Sequence, residues 1–316
     1  MTGIDRPKRV LVVHYSQTGQ LDRVVESVIK PLMACDEIQV TDLRIEPLTP
    51  YPFPWPFIRF INTFPEAAHE IGCELKPLAI DHRQRYDLVI LAYQVWFLTP
   101  SIPVVGFLKS AEARELLRDT PVVTVIACRN MWLMAQEKMK RHLQNLGARS
   151  IGNIALVDAA GTAASFIATP LWMLTGKKGP FPLGIPAAGV AENDIHDAER
   201  FGLALRNRMI DTGELDATVL QGLGAVRVNE RLIASEKVAT RSFYLWGKLF
   251  LAMGGPDAWP RKPLAILYAL FLLSLILTVV PVTTLLKRLL TPLLATRIKQ
   301  QKIYYAQPSG EARENG

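Results

Sequence analysis

Apolar and polar positions change period several times along the chain, and each change marks an element. Arg9–His14 (RVLVVH) is a short β-branched run, the pattern of a buried strand. After a polar turn, Leu21, Val24, Val25, Val28 and Leu32 recur at helical spacing and predict a helix over Leu21–Met33. Ile38–Leu43 predicts a second strand. Asp87–Tyr93 (DLVILAY) predicts a third, apolar on both faces as in a covered parallel sheet. Pro103–Leu117 reads as helix, Pro121–Ala127 as strand, Met134–Leu146 as helix and Ser150–Val157 as a fifth strand. Asn193 is placed to cap a helix running to about Ile210, with Ile195, Ala198, Gly202, Leu205 and Met209 on one face. Strands alternating with helices predict a doubly wound, five-stranded parallel α/β sheet.

Two stretches break the rhythm. Residues 45–85 carry Pro50, Pro52, Pro54 and Pro56 among aromatics, which excludes a regular helix or a central strand there. Residues 158–192 contain ASFIATPLWMLTGKKGPFPLGIP. Both are expected as apolar loops forming lids or binding walls, with Phe166–Leu174 as the lid proper. The sheet and these inserts make residues 1–212 one domain, and residues 213–316 a helical extension. Within the extension, Pro263–Leu286 runs without a charge, long enough as helix (about 36 Å) to cross a bilayer core. A single span is the first expectation; a helix–Pro–helix hairpin about Pro281, with both ends on one side, is the second. Ser242–Met253 (SFYLWGKLFLAM) suits either the membrane interface or packing on the soluble domain.

Composition changes this picture little, except through its distribution. The 316 residues include 36 Lys and Arg against 29 Asp and Glu, a net charge of +7. Residues 287–316 hold six basic side chains and two acidic ones, so the excess follows the apolar run. That suits an anionic membrane surface and argues against a nucleic-acid partner. Cys35, Cys73 and Cys128 are widely spaced, with no disulfide framework or metal-ligand spacing, so no metal is expected. The N-terminal residues have no apolar stretch before the first strand, so a cleaved secretory signal is not expected. The expected location is the cytoplasmic face of the inner membrane, held by the C-terminal segment.

The chemistry concentrates at the carboxyl ends of the strands, where parallel sheets bind ligands. The first strand–helix turn is His14-Tyr-Ser-Gln-Thr-Gly-Gln-Leu21. Backbone N–H groups at a helix start, with the hydroxyls of Ser16 and Thr18, make a phosphate site. Neither a G-x-x-x-x-G-K-[ST] nor a G-x-G-x-x-G spacing is present, which argues against an ATP-hydrolysing loop or a dinucleotide fingerprint. A single terminal phosphate held by uncharged donors matches better.

This turn resembles the S/T-x-T-G-x-T loop by which flavodoxin-like proteins hold the phosphate of flavin mononucleotide (FMN); the final threonine is Leu21 here. Tyr93-Gln-Val-Trp-Phe-Leu-Thr-Pro resembles the flavin-wrapping loop of such reductases, and Cys128-Arg-Asn-Met-Trp132 stands where that family closes the other side of the ring. The resemblance implies FMN contacts from Ser16, Gln17, Thr18, Gly19, Gln20, Leu21, Gln94, Val95, Trp96, Phe97, Cys128, Arg129, Asn130 and Trp132.

A narrower resemblance covers most of the first 210 residues. YSQTGQL, YPFPWPF, VWFLTPSIPV, CRNMWLMAQEK and ASFIATPLWMLTGKKG resemble a bacterial family of dialkylresorcinol and aryl-lipid pathways, often labelled dialkylresorcinol condensing enzymes. Condensation needs a cysteine–histidine pair that these motifs do not offer. The resemblance then implies oxidation of a dialkyl cyclohexanedione to a resorcinol, with a hydride accepted by FMN. His14 and Tyr93 are candidate bases, with His82 behind them, and Arg129 is a candidate cation beside the flavin. A lipidic substrate, a membrane, a ketosynthase partner and a homodimer are the expected partners. A quinone reductase linked to NAD(P)H and a non-catalytic ketosynthase partner are the alternatives.

Overall fold

The structure, a computed structural model, describes residues 6–158 and 162–310, without the side chains of residues 162, 163, 165, 166, 276, 277 and 279–294. Five parallel strands form the main sheet: β1 (Lys8–His14), β2 (Ile38–Arg44), β3 (Leu88–Tyr93), β6 (Pro121–Cys128) and β7 (Arg149–Val157). Their order is β2-β1-β3-β6-β7, the doubly wound order of flavodoxin-like folds. Between β3 and β6 lies a two-stranded antiparallel ribbon, β4 (Val95–Trp96) and β5 (Thr99–Pro100).

Alternate residues explain why the central strands are apolar throughout. Val10 and Val12 of β1, and Leu88, Ile90 and Ala92 of β3, face one core. Leu11 and Val13, with Val89, Leu91 and Tyr93, face the other. The first core is covered by α1 (Gln20–Met33), α7 (Glu192–Asp197) and α8 (Glu199–Asp211). The second is covered by α3 (Ile102–Leu108), α4 (Ala111–Leu117) and α5 (Leu133–Asn145). Beyond α8 the chain stays on the first core through Leu215, Val219, Leu220 and Ala225.

Several sequence expectations need correction. The helix expected over Pro103–Leu117 is two, because Ser110 starts α4 by accepting the Ala113 N–H at 3.1 Å. The helix expected from Asn193 breaks at Ala198, and its N-cap is Ala191. The inserts are not loops throughout: α2 (Phe57–Ala68) begins directly after Pro56 in the first, and α6 (Thr162–Thr175) lies in the second. Helix α6 contains the whole of the expected lid, though the Phe166 side chain lies outside the described residues.

The extension consists of α9 (Glu230–Ala252) and α10 (Arg261–Ala306). The Ser242–Met253 segment lies within α9 up to Ala252, with Met253 as its C-cap, and packs on α2, with Phe250 buried against Phe64 at 5.1 Å between ring centres. Among the described residues, no helix is long and apolar enough to cross a membrane. Much of the second half of the 263–286 run falls among the side chains outside that description.

Helix α10 does not run straight from end to end. Its start is fixed where Arg261 Nε donates to Phe250 O at 3.2 Å. Its end is fixed where Lys237 Nζ sits 5.5 Å from the Tyr305 ring centre. Phe250 and Lys237 stand about 20 Å apart along α9, whereas a straight helix from Arg261 to Tyr305 would span about 66 Å. Side-chain reach does not close that gap, so α10 turns back on itself. Pro281 and Pro292 lie between the two ends in the sequence, where a proline permits a bend.

One packing contact gives a direct test. A Cβ on Gly202 of α8 would stand 1.8 Å from Val28 O of α1. Gly202→Ala should therefore cost about 2 kcal/mol or more, read as a lower urea midpoint.

Candidate functional site

At the point where the strand order reverses, between β1 and β3, the loops part and leave a cavity of about 220 Å³. Its floor is the β1–α1 turn: Gln17, Thr18, Gln20 and Leu21. Gly19 takes a left-handed conformation (φ 77°), and the position its Cβ would occupy is open. Among the described residues no side chain caps α1, and the buried Ser16 hydroxyl has no hydrogen-bond partner. Helix-start N–H groups, a hydroxyl awaiting a partner and no lysine fit a phosphate monoester.

The two glutamines of this turn hold the inserts. Gln17 Nε2 donates to Pro52 O at 2.8 Å, and its Oε1 accepts from Trp55 Nε1 at 3.0 Å. Gln20 Oε1 accepts from Val190 N at 3.1 Å, and its Nε2 donates to Val190 O at 3.4 Å. The inserts also join each other, since Trp55 N donates to Met173 O at 2.8 Å. Two straps thus cross the turn, and Gln17 N donates to Gln94 Oε1 at 3.3 Å, leaving the Ser16 and Thr18 hydroxyls and the N–H groups at the start of α1 for a ligand.

The walls are aromatic. Trp96 is packed edge-on by Tyr15, Tyr51 and Trp55, with ring centres 6.0, 5.1 and 5.7 Å away. Phe97 and Leu98, at φ 50° and 61°, form the two-residue turn of the β4–β5 ribbon. Side chains other than Asn or Gly resist that conformation by about 1–2 kcal/mol each. The ring contacts of Phe97 with Phe60 (5.1 Å) and Phe64 (5.9 Å) hold it in place. Lys138 of α5 steadies the ribbon from below, donating to Thr99 Oγ1 at 2.6 Å and to Ala68 O at 3.3 Å.

The far wall carries the charge. Ala127 and Cys128 end β6, Arg129 follows it, and Asp158 follows β7. Burial pushes the Arg129 guanidinium down to about 10, and Asp158 acts against that shift, keeping Arg129 a cation. Burial, reinforced by the Glu236 charge, pushes the Cys128 thiol up, so it stays protonated.

Ten of the expected contacts line the cavity: Gln17, Thr18, Gln20, Leu21, Gln94, Val95, Trp96, Phe97, Cys128 and Arg129. Ser16 and Gly19 stand in the same turn without lining it. Asn130 and Trp132 do not line it either; Trp132 is buried in the second core. The candidate bases lie away from the cavity wall. His14 Nδ1 and Nε2 lie 2.9 and 3.0 Å from Asp22 and Asp42, off the cavity wall. Tyr93 is fully buried, donates to Gln136 Oε1 at 2.7 Å and is pushed well above its ordinary value by burial. His82 is on the surface beside Glu115 at 3.3 Å. Sequence reasoning missed Trp55, Phe60, Asp158, Thr169, Trp172, Met173 and Gly189, all of which line the cavity from within the two inserts.

No family model matches this sequence, and no curated protein matches it. Among solved structures the chain is similar to a flavoprotein from Lactobacillus acidophilus in complex with FMN, at 14% identity and a TM-score of 0.38, covering 47% of this chain and 93% of that one. It is also similar to a flavodoxin from the domain Archaea, at 8% identity and a TM-score of 0.35, covering 63% and 97%. Flavodoxin 1 from Bacillus cereus is a third, at 12% identity and a TM-score of 0.32, covering 62% and 95%. The fold assignment rests on strand order, not on these likenesses.

Behind the charged wall, Glu236 of α9 is buried and its Oε2 accepts the Met134 N–H at the start of α5, at 3.0 Å. Burial pushes its carboxyl up to about 7. Because the folded-state value lies above the unfolded one, folding favours the protonated acid. Stability is full below about pH 4.5 and falls by about 3 kcal/mol as pH rises through 7. Glu236→Gln should remove most of that slope and stabilise the protein at pH 8, measured by urea midpoints at pH 5 and pH 8.

Proposed function

We propose that the chain is a membrane-associated, FMN-dependent oxidoreductase acting on an apolar ring compound. The observation that carries this reading is the junction of two unlike halves in one cavity. An uncapped helix start with an unpartnered Ser16 hydroxyl adjoins an aromatic slot walled by Trp55, Trp96 and Phe97. One half suits a phosphate and the other a flat ring, which are the two ends of FMN.

In this reading Ser16, Thr18 and the N–H groups opening α1 hold the phosphate. Trp55 and Trp96 wall the ring, and Arg129, kept charged beside Asp158, places a positive charge against it. FMN, when bound, supplies the hydride acceptor. Asp158 is the carboxylate on the wall, and it takes the proton that neither His14 nor Tyr93 is placed to accept. The aromatic walls exclude water. A cavity of about 220 Å³ is below the usual range for a cofactor-sized ligand. The Gln17–Trp55 and Gln20–Val190 straps therefore open to load it. Oxidation of a dialkyl cyclohexanedione to a resorcinol is the specific reaction proposed, consistent with the apolar inserts.

The visible spectrum of the purified chain tests this. Flavin bands with released FMN identified by mass support the reading; a colourless protein that fails to take up added FMN sinks it. Ser16→Ala and Thr18→Ala should each weaken FMN binding by roughly tenfold or more, from loss of a hydrogen bond to a charged group, with the circular dichroism spectrum unchanged.

A further inference from the structure

Over residues 264–273, helix α10 is apolar on its outward as well as its inward face. Ala265 and Tyr268 are buried against α2 and α9, the Tyr268 ring stacking on Phe64 at 4.4 Å. On the other side Ile266, Leu267, Leu270 and Leu273 are 54, 55, 59 and 53% exposed. Beside them Leu245 of α9 is 67% exposed, and Trp259 in the turn between the helices is 77% exposed. A helix apolar all round is normally buried, and an apolar face of this breadth marks an interaction surface.

Charge identifies the occupant. From residue 241 to residue 310 the sequence carries nine Lys and Arg and one acidic residue, Asp257. Arg241, Lys248, Lys262, Arg297 and Lys299 are exposed, so basic side chains flank the apolar face at both ends of α10. Exposed leucines, an exposed tryptophan and a basic border are the composition of a segment that lies in the headgroup region of anionic lipid.

The turn-back of α10 sets how it enters. Arg261 is wholly buried and donates to Glu66 Oε1 at 2.8 Å and to Asn62 O at 3.4 Å. At the other end Tyr304 donates to Glu137 Oε2 at 2.7 Å, and the Asn153 N–H donates to Ser309 Oγ at 2.6 Å. Both ends are therefore fastened to the body that carries the cavity.

We infer that α9 and α10 seat the protein on one leaflet of an anionic bilayer, with the α10 arm entering and leaving from the same side. This rests on the membrane-associated reading above and gives it a geometry. It also joins the seated helices to the cavity wall through packed rings. Phe97, on that wall, lies 6.2 Å from Phe243, and Phe64 joins Phe97 (5.9 Å) to Tyr268 (4.4 Å). Trp246 continues the series to Phe271 at 5.1 Å. Phe64 and Tyr268 are buried, so this aromatic seam is a packed connection that fixes the seated helices to the cavity wall.

The test uses the full chain diluted from detergent into vesicles. It should sediment with vesicles of phosphatidylcholine and phosphatidylglycerol, and several-fold less with phosphatidylcholine alone or in high salt. The double variant Leu267→Glu, Leu270→Glu changes exposed positions only. It should bind the mixed vesicles at least tenfold less, with the circular dichroism spectrum intact. Asp257→Cys and Gln300→Cys should both react with a membrane-impermeant maleimide added outside intact vesicles. Three results overturn the inference. The chain stays in the supernatant with every vesicle; one of the two cysteines reacts only after detergent; or the double variant converts a dimer into a monomer, which makes a second copy the occupant. A visible spectrum of the same samples reports flavin separately, so loss of the cofactor reading and loss of this one are distinguishable.

Discussion

The reversal of winding between β1 and β3 governs what this molecule does. Helix α1 leaves β1 for one face of the sheet, and the chain after β3 leaves for the other. The two loops must therefore diverge, and a crevice opens at the carboxyl ends of the strands. Neither loop closes it without uncovering a core, because the alternate residues of both strands are already buried on opposite faces. The position of the cavity follows from backbone topology; its character follows from what the inserts place over it.

The inserts are tied to the turn they cover. Gln17 and Gln20 occupy their amide groups with Trp55, Pro52 and Val190, so lid and phosphate-type turn form one hydrogen-bonded unit. The extension is tied to the opposite wall. Glu236 reaches from α9 to the start of α5, next to the loop that carries Cys128 and Arg129. A carboxylate so deeply buried is held by N–H groups rather than by a cation, and its raised protonation range records that cost.

Much of the sheet was legible because a strand covered on both faces is apolar without interruption, and Asp87–Tyr93 reads that way. Segment ends were less so: one Ser110 hydroxyl divides a helix that apolar spacing alone runs together. The inserts were legible as walls but not as helices, since proline dominates their local signal and tertiary packing overrides it in α2 and α6. Trp55 and Trp172 became cavity residues through contacts 38 and more positions distant in sequence, which no local period encodes. Asp158 is a lone acid after a strand. The direction of His14 is set by Asp22 and by Asp42 on the neighbouring strand, a choice made only once the sheet is assembled. The turn-back of α10 followed from contacts at its two ends; the prolines in the sequence permit a bend without requiring one.

Phe97 occupies a strained turn, lines the cavity and packs on Phe64 and Phe243 of the α2–α9 seam. One ring therefore answers to three selective pressures: turn geometry, ligand shape and the seating of the extension. In evolutionary terms the position is pleiotropic. A lineage changing ligand preference here must also repair the seam, so variation at residue 97 should travel with variation at 64 and 243. Trp172, which borders the cavity from α6 and edges against Phe53 at 6.3 Å, is free of that linkage and offers the easier route to a new preference.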